Sequence, residues 1–308
     1  MSIAQLCVQS TRRDPDRYWK SLTALGNVLC ANEQFGAALD AHADALELAL
    51  SQADAARMAM SWNNLGTIFL TASAWDIAVE CFSRITENPT LVKAWRPYQA
   101  HGNLALCHLH LDSIRQGVES MRQALRLETP ELITHNPRTY VAFRLTYIQL
   151  ALQGNRIWPQ EIKRRANEAR EFAAAHADPH ISVLSELIAA NIEFAFGDRE
   201  ASLRKMESLR IRARVVPQVL SDVLFALVQA GKLTGNAERA RVYLDEWSIH
   251  LYAEADQHAK ARLGISGWLP TGAFLCDHWN ELGSGAERLP GLPARVLELM
   301  KGSQDGAS

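Results

Sequence analysis

The decapeptide HGNLALCHLH, residues 101–110, gathers His101, Cys107, His108 and His110, the side-chain types that hold zinc. Zinc needs its ligands to converge on one point, usually four of them, so the cluster means little until the element carrying it is known. His176 and His180 flank Asp178-Pro179 in what reads as a solvated turn. Basic residues gather in RKMESLRIRAR, with Arg204, Lys205, Arg210, Arg212 and Arg214, and in Lys163-Arg164-Arg165. The ordinary reading of such runs is a solvated helix face; the sharper one is a surface for an acidic partner. The glycines of GISGWLPTG lack the Lys and Ser/Thr partners of a phosphate loop, and the chain holds no nucleophile elbow, dinucleotide fingerprint or HExxH pair. These motifs give enzymatic chemistry no positive support, and no cofactor is expected.

The elements that must position any site are helices. Strand signals are almost absent, and apolar residues recur at three- and four-residue spacings nearly throughout. A hydrophobic content of 48% is ample for a core, while a net charge of −2 gives no sustained positive field for nucleic acid. No window approaches the roughly 20 apolar residues that span a bilayer. The opening MSIAQLCVQSTRRDPDRY lacks the apolar core of a signal peptide. Cys7, Cys30, Cys81, Cys107 and Cys276 are odd in number and scattered, as free thiols in a reducing cytoplasm would be.

The chain also repeats itself. Gly26 aligns with Gly66, 40 positions on, and the surroundings align with them. Leu22, Leu25, Gly26 and Leu29 precede Ala38, His42 and Ala45; Trp62, Leu65, Gly66 and Phe69 precede Ala78, Phe82 and Ile85, with Pro89 closing the unit. This pattern resembles the tetratricopeptide repeat, W-x2-L-G-x2-Y followed by A-x3-F and a closing Pro. The resemblance implies that each glycine lies where two helices cross closely, opposite the later alanine: Gly26 with Ala38, Gly66 with Ala78. A third copy, from about Tyr98 to Leu127, exchanges the two roles, with Ala105 before Gly117. Downstream the motif decays but helix pairs persist, with Gly154-Asn155, Gly197-Asp198 and Gly235-Asn236 as turns, Pro97, Pro137 and Pro217 near helix starts, and an insertion, NRIWPQ, in the fourth turn. The resemblance covers about two thirds of the chain, and its motif is specific in the first three units.

In that register His101 and His108 take the slots of Trp62 and Phe69, so both are expected in the core, with Cys107 and His110 pointing elsewhere and no metal bound. The resemblance further implies that the first helix of each pair lines a concave groove that grips an extended peptide. The positions facing it are Lys20, Thr23 and Asn27 in the first copy, and Met60, Asn63 and Thr67, with Asn64 beside them, in the second. Gln99, Asn103, Arg144, Asn191 and Gln229 follow. A carboxamide offers both a donor and an acceptor, so a row of them can hold a peptide backbone whatever its side chains. Inter-repeat bonding is the competing role for the same asparagines. Asn27 and Asn64 also match the two asparagines of the carboxylate clamp of chaperone-binding members. Thr23, Gln99 and Asn103 stand where that clamp has basic residues, so recognition of a chaperone tail is not expected.

The expected fold is thus an all-α right-handed superhelical solenoid of about six hairpins over residues 18–255. Residues 1–17 form an N-terminal segment, 256–301 supply capping helices, and GSQDGAS at 302–308 is a disordered tail. The expected function is protein or peptide binding as a cytoplasmic adaptor, co-chaperone or peptide-responsive regulator, without nucleic acid or membrane and with homo-oligomerisation left open. A docking or sensory module serving a catalytic partner on another chain is the alternative, and an enzyme with a pocket in the groove is a third.

Overall fold

The computed structural model describes residues 3–31, 35–71, 75–95, 97–154 and 159–254, and every regular element within them is a helix. Residues 155–158 of the expected insertion NRIWPQ, the capping region and the tail lie outside the described residues, while Pro159 and Gln160 open a helix. Seven of the eleven prolines open a helix. At that position the missing N–H has no intrahelical partner to lose and the fixed φ is already helical.

The chain divides into two compact units, one up to Leu111 and one from Asp112 to Tyr252. The first holds α1 (Ile3–Thr11), α2 (Pro15–Ala31), α3 (Phe35–Ser51), α4 (Ala55–Thr71), α5 (Trp75–Thr86), α6 (Pro89–Ala94) and α7 (Tyr98–His110). Each packs mainly on its sequence neighbours: α1 on α2, α2 on α3, α3 on α4, α4 on α5 and α5 on α7. Trp62, Leu65, Phe69, Trp75, Phe82 and Ile85 form the centre of its core.

The repeat glycines lie directly against rings. A Cβ added at Gly26 would lie 2.5 Å from His42 Nε2, and one at Gly66 would lie 2.7 Å from Phe82 Cε1. Ala38 and Ala78 are fully buried, but the space each glycine leaves is filled by the aromatic four residues further on. At each expected crossing the missing glycine side chain seats a ring.

The second unit holds α8 (Ile114–Arg126), α9 (Pro130–His135), α10 (Pro137–Gly154), α11 (Pro159–Ala175), α12 (Pro179–Phe196), α13 (Arg199–Ala213), α14 (Pro217–Leu233) and α15 (Ala237–Glu254). The pairs α10–α11 and α12–α13 are antiparallel neighbours, and the first helices also pack side by side, α10 on α12 and α12 on α14. Gly197 ends α12 and Asp198 caps α13 through Ala201 N–H at 3.0 Å. Gly235 has φ +69°, open to glycine without strain, and Asn236 caps α15 through Arg239 N–H. Between α14 and α15 the backbones do approach: a Cβ at Gly231 would lie 2.9–3.0 Å from the Cβ, Cα and N of Ala240. Beyond the expected hairpins stand α1 and the one-and-a-half-turn helices α6 and α9, each of the latter opened by a proline behind Asn88 or Thr129, whose side chain caps it.

Candidate functional site: an amide-lined cleft in the second unit

The helices α10, α12 and α14 begin at Pro137, Pro179 and Pro217. Twelve residues after each proline stands a carboxamide: Gln149, Asn191 and Gln229. Three equal offsets from the helix start put the three side chains at one level on neighbouring helices. They line a single cleft of about 540 Å³, together with Gln153 one turn beyond Gln149. Phe194, Met206, Phe225 and Ala230 make its apolar wall, and Arg199 stands at its edge with its guanidinium 5.5 Å from the centroid of the Phe194 ring. Two large apolar side chains of the lining, Phe196 at 60% and Leu233 at 65% exposure, face water.

The amides are uncommitted. Among the described residues Gln149, Gln153 and Gln229 make no side-chain hydrogen bond, although Gln149 is only 7% exposed. Asn191 donates from Nδ2 to the Leu187 carbonyl at 2.9 Å, which leaves its Oδ1 to accept. Buried amides are ordinarily paired within the protein. A half-sunken row of amides with bonding capacity left over, on a wall of Phe and Met, has the composition of a binding cleft: mostly apolar, with a few polar groups that fix orientation.

Arg144 does not belong to this row. Expected on the groove, it is 2% exposed, with NH1 and NH2 donating to Glu128 Oε1 and Oε2 at 2.5 and 2.6 Å. Its Nε lies 3.3 Å from Glu168 Oε2 in an ion pair not aligned as a hydrogen bond, and its plane covers the Tyr140 ring. Burial opposes its charge, but the hydrogen bonds and charge of Glu128, helped by Tyr140 and Glu168, outweigh that and hold its pKa above the usual value. Of the two charged candidates, Arg144 is thus spoken for by a buried ion pair, and seven residues after Pro137 it stands away from the level of Gln149.

The remaining candidates lie in the first unit. Lys20 and Asn27 are exposed on α2 and make no ion pair or side-chain hydrogen bond among the described residues. Asn63 is buried on α4 with its Oδ1 unpaired. Its neighbour Asn64 is half-buried, and its Nδ2 lies 3.5 Å from His42 Nδ1 on α3. Asn103 is half-buried on α7. Asn63 and Asn64 therefore look in different directions, as adjacent helical residues must.

The histidine cluster has a different register from the one expected. Cys107 is fully buried, His101 and His108 are only half-buried, and His110 stacks on Trp75 with centroids 4.6 Å apart. Desolvation pushes the Cys107 thiol up and holds the His110 imidazole down to about 4. Among the described residues no three metal-ligating side chains gather at one point. His180, expected in a solvated turn, sits half-buried in the first turn of α12, which Asp178 caps. The basic runs are largely neutralised from within: Arg212 pairs with Glu186, Arg210 with Glu207 and Glu246, Arg214 with Glu246, and Arg164 and Arg165 with Glu161 and Glu168. No described helix is long and apolar enough to cross a membrane.

Neither the protein-family models nor the curated proteins compared with this chain give a match.

Proposed function

We propose that this protein is a tetratricopeptide-like helical-repeat scaffold, wound as a right-handed solenoid, that holds an extended peptide segment of a partner protein in the cleft of its second unit. The observation that carries this reading is the row Gln149, Asn191 and Gln229: carboxamides with unused bonding capacity at one register on three adjacent helices, Asn191 keeping its Oδ1 free. Adjacent helices lie ~8–10 Å apart, so the row spans roughly 16–20 Å, the length of five or six extended residues at ~3.3 Å each. A strand crossing the helices meets a donor–acceptor pair at about every third residue, and the wall of Phe194, Phe225 and Met206 takes its apolar side chains.

The test uses an array of hexapeptides, acetylated and amidated so that their ends carry no charge. The protein retains a subset of sequences sharing one apolar position, and those peptides compete with one another for a single site. Uniformly weak retention across the array, with no shared position, overturns the reading.

A further inference from the structure

We infer that the peptide held in this cleft carries a basic side chain, recognised by Asp222. This rests on the peptide-binding reading above and names the chemistry of the partner. Asp222 stands on α14 four, seven and eleven residues before Ala226, Gln229 and Leu233, all of which line the cleft. That spacing is a single helix stripe, so the carboxylate continues the binding face two turns before the amide row and one turn before Ala226. It is half-buried, in contact with solvent yet set among packed protein.

Among the described residues its surroundings offer no counter-charge. Among the described residues Asp222 makes no ion pair and no hydrogen bond from its side chain. The positions at the same level of α12 and α10, five residues after their prolines, are Leu184 and Ala142. α14 packs on α12 and α13 and, at Gly231, on α15, and the arginines in the last turn of α13 are committed: Arg212 to Glu186 on α12, and Arg210 to Glu207 and to Glu246 on α15. Burial pushes the Asp222 carboxyl up to about 7, with no cation among the described residues to bring it back. A lone acid on an otherwise apolar and amide-bearing face weakens the fold it sits in, and such groups mark sites where a ligand supplies the missing charge. A Lys or Arg side chain of a bound peptide does so here, and the amide row holds the backbone on either side of it.

The experiment compares, by fluorescence anisotropy at pH 8, retained hexapeptides carrying Lys at one position with the same peptides carrying Gln there. Wild-type protein is expected to prefer Lys by about tenfold or more, the size of a charge-assisted hydrogen bond. Asp222→Asn brings the ratio to near unity while the Gln peptides bind as before. A second measurement needs no variant: on wild type, lowering the pH from 8 to 5.5 shrinks the Lys preference, because this carboxyl takes up a proton where an ordinary surface carboxylate stays ionised. Peptides retained without any basic preference, or a preference that survives in Asp222→Asn, overturn the assignment while leaving the cleft reading intact. Failure of wild type to select any peptide counts against the cleft reading itself.

Discussion

His42 shows how one residue in a repeat sets a pH response. It fills the slot that Phe82 fills 40 residues later, with its ring seated over Gly26 as Phe82 is over Gly66. Burial holds its imidazole neutral down to about 4, against 6.5 in the open. Between those values the unfolded chain binds a proton that the folded chain refuses. The contribution is therefore complete above pH 6.5 and is lost as the pH falls toward 4, a loss of roughly 3 kcal/mol when complete. His42→Phe is expected to leave the thermal midpoint at pH 8 little changed and to raise it above wild type at pH 5. Equal acid sensitivity of the two proteins would show that His42 is not the buried base. Arg144 belongs to the same scale. Arg144→Ala leaves Glu128 sunk without its partner, so a loss of ~3–5 kcal/mol is expected, measured by urea unfolding. A loss below about 1 kcal/mol would place that pair at the surface, contrary to its burial.

At the scale of elements, the hairpins were legible because two signals agreed, the three- and four-residue apolar spacing and the Gly or Asn turns between helices. Gly197, Gly235 and Asn236 occupy the helix ends they were expected to occupy. The short helices α6 and α9 were not legible, since six residues hold too little of a helical period to show it. Half of the cleft was legible: Asn191 and Gln229 were singled out, Gln149 was not, and Arg144 was taken in its place. The signal that finds Gln149 is the constant distance from the opening proline, which fixes level on a helix more firmly than a decaying repeat motif. Asp222 was missed because nothing in a sequence marks a carboxylate as unpaired. The same scale carries a test of the ring-over-glycine arrangement. Gly66→Leu drives a branched side chain into a space already held by the Phe82 ring, which is itself fully buried. Overpacking costs ~1–3 kcal/mol or more, and Gly66→Leu with Phe82→Ala should recover part of it. If the double variant is no better than the sum of the singles, ring and glycine are not coupled.

For the molecule as a whole, each of the two units is built from neighbour-on-neighbour helix packing, with the candidate amides on first helices of the pairs, while the basic runs of α11 and α13 spend their charge on nearby carboxylates. On the described surface of the second unit, the cleft combines apolar side chains with amides that keep unused bonding capacity. The double variant Asn191→Ala, Gln229→Ala tests that directly, because neither side chain bonds to another helix and both changes favour helix. The measurement is the affinity of the tightest hexapeptide from the array, by fluorescence anisotropy, with the thermal midpoint taken on the same sample. Each lost hydrogen bond is worth ~0.5–1.5 kcal/mol, so affinity is predicted to fall roughly five- to hundredfold at an unchanged midpoint. A lowered midpoint with affinity intact in the folded protein would contradict the account, showing that the amides hold the helices together and not a partner.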